Sequence, residues 1–207
     1  MTWRVMACAA GLAVLWIVAA CPLAHLDHHL LTAHMVMHLL IMNAAAPLVL
    51  FGFSGLLRCR LPIAFCWLAG TLTVSLWHVP SVFALALQSH FWHQFEIASF
   101  LLAGIVFWWP VFQPALYSGW SIPVYLFLAT LPCDALSAFL TFCGHVVYRP
   151  YLTANRGLFG LPPLDDQALA GALMWVTVTF AYLIPALVLT ARLLASERIR
   201  DSAVGVG

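Results

Sequence analysis

The stretch from Ala24 to Met42, A-H-L-D-H-H-L-L-T-A-H-M-V-M-H-L-L-I-M, gathers five of the chain's nine histidines and three of its six methionines. Imidazole nitrogen binds copper, zinc, iron or nickel, and thioether sulfur narrows the preference toward cuprous copper. On an α-helix His34 and His38 stand one turn apart, separated by about 6 Å of rise and about 40° of rotation, so both rings can face one ion. Met35 and Met42, seven residues apart, share a face, while Met37 points elsewhere. His25, His28 and His29, with Asp27, come just before the helix, where water reaches them, and suit metal capture. A histidine at a membrane surface also serves as a headgroup-facing side chain, and a methionine packs as readily as it coordinates. The density of this cluster favours the metal.

Other side chains extend the set. His78 sits between Trp77 and Pro80 at the mouth of an apolar run and is a third ligand candidate. His90 and His93, three apart, read first as an aromatic-belt segment with Phe91 and Trp92; His93 is also a candidate for metal capture. Met174, about 12 Å along its helix from Asp166, is a further sulfur candidate. Ionisable groups inside apolar runs are costly. Asp134, mid-span beside Pro132 and Cys133, is read as lining a cavity or packing the bundle. Glu96 is placed near the membrane surface and read as solvated. Asp165 is read as a helix cap, and Asp166 as a partner for Arg149 or Arg156.

Helices in a bilayer must position these groups. Of 207 residues 64% are hydrophobic and 7% charged, and the mean hydropathy is +1.00, far from a soluble domain. An all-α integral membrane bundle of about six transmembrane helices is predicted, a single domain over 1–207 with spans at roughly 6–23, 30–50, 61–77, 97–112, 122–142 and 167–194. The segment between Trp77 and Ile97 is predicted as a headgroup-level hairpin. Val18-Ala19-Ala20-Cys21 resembles a lipoprotein cleavage box, but the region before it carries only Arg4, so the first run is read as a retained span. With both termini in the cytoplasm of a bacterial inner membrane, Arg4, Arg58, Arg60, Arg192, Arg198 and Arg200 lie inside and only Arg149 and Arg156 outside. All nine histidines then lie toward the outer face. Headgroup preference would populate both faces, so the asymmetry points to extracytoplasmic chemistry.

Several classes lose support. Six scattered cysteines with no C-x-x-C pair argue against a dithiol redox site or a zinc knuckle. A net charge of +1 without a basic run argues against a nucleic-acid partner. No nucleophile–base pair, phosphate loop or H-E-x-x-H is present, so no enzymatic activity is expected.

The run His34-Met35-Val36-Met37-His38 with Ala46-Pro47-Leu48, the Trp77-His78-Val79-Pro80 element, Phe107-Trp108-Trp109-Pro110, and Asp166-Gln167 through Ala170-Gly171 to Met174-Trp175 together resemble the multi-span, CtaG-like family of caa3-type cytochrome c oxidase assembly factors. The resemblance runs from about residue 25 to 190. It implies an integral membrane protein needed for making an active haem-copper oxidase, at the stage where copper enters the catalytic subunit, and it carries over His34, His38, His78 and Asp166. The expectation is a metallochaperone that holds copper, as Cu(I), through His34, His38 and His78 with Met35 or Met42. It would pass the ion to the oxidase catalytic subunit, with an extracytoplasmic copper chaperone as a further partner. Two rivals remain: a haem-binding membrane cytochrome with His38 and either His78 or His145 as axial ligands, and a metal or proton transporter, which the lack of an inverted repeat disfavours.

Overall fold

A computed structural model describes residues 2–20, 26–54, 59–153 and 161–204, which form helices and connections with no strand among them. His25, Arg58 and Arg156 lie outside the described residues, as does Cys21 of the suggested cleavage box. Helix α1 (Thr2–Ala20) is followed by α2 (Leu31–Leu40), which passes through a π-helical turn (Ile41–Ala45) into α3 (Ala46–Phe53). Next come α4 (Ile63–Trp77), α5 (Pro80–Gln88), α6 (His90–Phe112), α7 (Ser121–Phe142) and the long α8 (Pro163–Val204). Among the described residues five helical segments are long and apolar enough to cross a membrane, and a sixth if α4 and α5 together make one broken span. Leu102, Phe142, Phe180 and Leu187 are each at least 60% exposed on the outside of the bundle, an exterior that lipid rather than water would favour.

Local sequence explains the breaks. Pro80 biases the residue before it toward extended backbone, and Val79 adopts φ −66°, ψ 124°. The chain therefore turns by 75° between α4 and α5, leaving His78 at the corner. The hairpin expected between Trp77 and Ile97 is instead helix α5, an extended Ser89, and the first two turns of α6, so His93 and Glu96 belong to a span. In the second span, Pro47 cannot donate to the carbonyl four residues back. The helix widens into its π turn just before it, and the Trp108 indole N–H donates to the Met42 carbonyl at 2.9 Å. Gly104 lets α6 approach this turn, since a Cβ there would stand 2.8 Å from the Ala46 Cβ. Gly171, in the small-residue patch of α8, does the same for α7: a Cβ would lie 2.8 Å from the Thr141 nitrogen.

Hydrogen bonds gather one end of the bundle. Backbone N–H groups of Leu31 and Thr32, unpaired in the first turn of α2, donate to the Asp166 carboxylate at 2.7 and 3.1 Å. The Tyr148 hydroxyl donates to the His78 carbonyl at 3.1 Å and the Tyr151 hydroxyl to the Asp27 carbonyl at 2.6 Å. The Gln167 amide donates to the His145 carbonyl at 3.1 Å. These bonds join the starts of α2 and α8 to the corner after α4 and the connection leaving α7. His28, His29, His34, His38, His78, His90, His93 and His145 all belong to this end.

Candidate metal centre

Two helix faces meet at this end. On α2 His34 and His38 fall on the buried stripe, and on α6 the stripe runs His93, Glu96, Phe100, Ala103 and Phe107. The Glu96 Oε1 stands 3.4 Å from His34 Nε2 and 3.3 Å from His38 Nε2, with exposures of 0% for His34, 5% for His38 and 0% for Glu96. Its other oxygen lies 3.7 Å from His93 Nδ1. The two imidazoles of α2 meet edge to face at 4.4 Å between ring centres, His38 stacks on Phe100 at 4.0 Å, and His34 packs on Phe83 at 4.7 Å. Toward the surface, His93 Nε2 lies 3.3 Å from Asp27 Oδ2, and Asp27 Oδ1 lies 3.8 Å from the exposed His28 Nε2. Alternating imidazoles and carboxylates thus run from His28 through Asp27, His93 and Glu96 to His34 and His38.

The spacing is informative. A charge-assisted N–H···O bond closes to about 2.7–2.9 Å. Both ring nitrogens of His34 and of His38, and both carboxylate oxygens of Glu96 and of Asp27, lack a hydrogen-bond partner among the described residues. Buried polar atoms are costly when left this way. Two donors on one tetrahedral ion with metal–ligand bonds of about 2.0–2.1 Å stand about 3.3–3.4 Å from each other, which is how Glu96 stands to both histidines. One ligand atom from each of His34, His38 and Glu96 can be chosen so that all three lie within 4.8 Å of one another, a set able to hold one ion and leave a position open.

The frame around the set is firmly bonded. Asp166 caps α2 from α8 and so fixes the helix that carries both histidines; one of the two arginines expected to pair with it, Arg156, lies outside the described residues. Burial pushes the phenols of Tyr148 and Tyr151, outside the spans, above their usual range, so both remain neutral donors to the backbone carbonyls of His78 and Asp27.

The expected ligands divide into two groups. His34 and His38 join Glu96, whereas His78, Met35 and Met42 line a separate small cavity that His38 also borders. Asp134 accepts from the Thr179 hydroxyl at 3.2 Å and ties α7 to α8. His29 is exposed, and Met37 is buried without lining the cavity. His93, read first as part of an aromatic belt, bridges the two carboxylates. Glu96 corrects the expectation most sharply: it is wholly buried, because α6 begins six residues earlier and turns it onto the core face. Asp27, expected in water, is likewise 0% exposed. The signal for Glu96 was its place three residues after His93 and four before Phe100, on one helical stripe.

The family model described as cytochrome c oxidase caa3 assembly factor (Caa3_CtaG) matches residues 62–196. The matched part contains His78, His93, Glu96 and Asp166 and begins after α2, so the place of His34 and His38 in the site rests on geometry. No curated protein and no solved structure matches the chain. With the family model covering well over half of its length, the chain belongs to the caa3-type cytochrome c oxidase assembly factors.

Proposed function

We propose that this protein serves oxidase assembly by holding a copper ion at His34, His38 and Glu96 and passing it to the catalytic subunit of a haem-copper oxidase. The observation that carries this reading is the pair of contacts from one Glu96 oxygen to two imidazoles, at 3.3 and 3.4 Å, with no hydrogen bond made by any of the three side chains. A carrier has to release its ion as well as bind it. Three ligands leave a coordination position through which an acceptor's side chain can begin the exchange, and the exposed His28 gives the ion a first contact from outside. The arginine distribution supports placing this end on the extracytoplasmic side of a bacterial inner membrane, where an extracytoplasmic copper chaperone would be the donor.

Size favours a bare ion over haem. The cavity shared by His38 and His78 measures about 20 Å³, whereas a cofactor pocket occupies roughly 300 Å³ or more. The test uses the full chain in detergent, loaded with cuprous ion and desalted, beside Glu96→Gln and the double variant His34→Ala with His38→Ala. Wild type should retain copper through desalting, and both variants should retain less. In the native host the same variants should lower the copper content of the oxidase. Undiminished copper in both the variants and the oxidase would remove the proposal.

A further inference from the structure

Beneath the His34–His38–Glu96 set lies the small cavity bordered by His38, His78, Met35, Met42, Met174 and Cys133. Four sulfur-bearing side chains from α2, the π turn, α7 and α8 line it, and among the described residues no carboxylate does. The His78 Nδ1 lies 2.7 Å from the Val74 carbonyl. A carbonyl only accepts, so Nδ1 carries the proton and Nε2 keeps its lone pair. That Nε2 is buried without a partner, on a residue 6% exposed. Methionine normally fills gaps because its chain is flexible. Here three methionines surround a space of about 20 Å³ without closing it, more than the roughly 10–15 Å³ that a single water or ion needs.

We infer that this cavity is a second, softer metal position, which takes cuprous ion through His78 and the thioethers of Met35, Met42 and Met174. The inference rests on the copper reading of the adjoining site and deepens it. Hardness divides the two positions. Imidazole and carboxylate above accept several divalent ions, whereas thioethers without a carboxylate select cuprous copper and reject zinc. His78 and the sulfurs complete a soft set without drawing on His38, so both positions can be filled together. His38 borders both, and an ion moving from one to the other keeps one ligand throughout. The π turn serves this arrangement, since it carries Met42 to the cavity wall while Trp108 holds its carbonyl.

Copper and zinc stoichiometry with X-ray absorption at the copper edge tests it on the full chain. Anaerobic loading with cuprous ion should give about two equivalents with sulfur neighbours, and zinc about one equivalent. Met42→Leu with Met174→Leu, which conserves volume, should lose one copper and the sulfur scattering while leaving zinc unchanged. His34→Ala with Glu96→Gln should lose the other copper and the zinc but keep the sulfur neighbours. Selenomethionine protein needs no substitution and should show copper–selenium scattering. One copper with only nitrogen and oxygen neighbours in wild-type and selenomethionine protein would leave the cavity to water and overturn the inference, with the upper site intact. Absence of any bound copper would sink the copper reading itself, and sulfur scattering that survives the methionine variant would overturn the assignment.

Discussion

Two regions of this apolar bundle that hold buried or half-buried polar groups treat them differently. Along the seam between α7 and α8 they are bonded. Ser137 donates to the Cys133 carbonyl at 2.7 Å, Thr141 to the Ser137 carbonyl at 2.7 Å, and Thr179 to Asp134 at 3.2 Å. Gln167 accepts from the Val147 N–H at 2.7 Å and donates to the carbonyl of His145 at 3.1 Å. At the meeting of α2 and α6, by contrast, Asp27, His34, His38, His93 and Glu96 stand 3.3 to 3.7 Å from one another at their nearest. A polar group buried for structure is satisfied within the fold. One left near its neighbours but short of bonding them keeps its lone pairs for something else.

This contrast can be broken experimentally. The largest effect is expected from His34→Ala with His38→Ala. Loss of a supporting outer partner alone costs about 10–100-fold in metal affinity, so removing two proposed ligands should weaken copper binding by more than about 100-fold, read by competition with a chromophoric cuprous chelator. Acidification should act in the same direction: protons compete for imidazole nitrogen, so copper affinity should fall as pH is lowered. If affinity stays level under acid, imidazole does not hold the ion. Asp27→Asn should cost about 10-fold through His93 and Glu96, while thermal unfolding changes little.

The seam should answer oppositely. Gln167→Leu leaves the Val147 N–H and the carbonyls of Leu140 and His145 without their partner, and should destabilise by about 1–3 kcal/mol with copper stoichiometry unchanged. Thr179→Val removes one part-buried bond to Asp134 and should cost about 1 kcal/mol or less, read by thermal unfolding in detergent. A seam variant that lost copper but not stability would erase the distinction between the two regions.

Much was legible in the order of residues. Runs of apolar side chains fix helices in a bilayer, and a four-residue interval on a helix brings His34 and His38 to one face whatever else surrounds them. These are consequences of a 3.6-residue period and need no knowledge of the partner helix.

What only the tertiary structure decided is the company those side chains keep. Whether Glu96 faces water or core depended on where α6 begins, which is set by the extended Ser89 and the corner at Pro80, and on which helix packs across from it. Asp27 and Glu96 are separated by 69 residues in the chain and are joined through His93 only after folding. The division of the expected ligands into a nitrogen–oxygen set and a sulfur-lined cavity arises in the same way. It is made by the packing of α2, the π turn, α7 and α8 around His38, and distances between side chains on different helices are not encoded by spacing along any one of them.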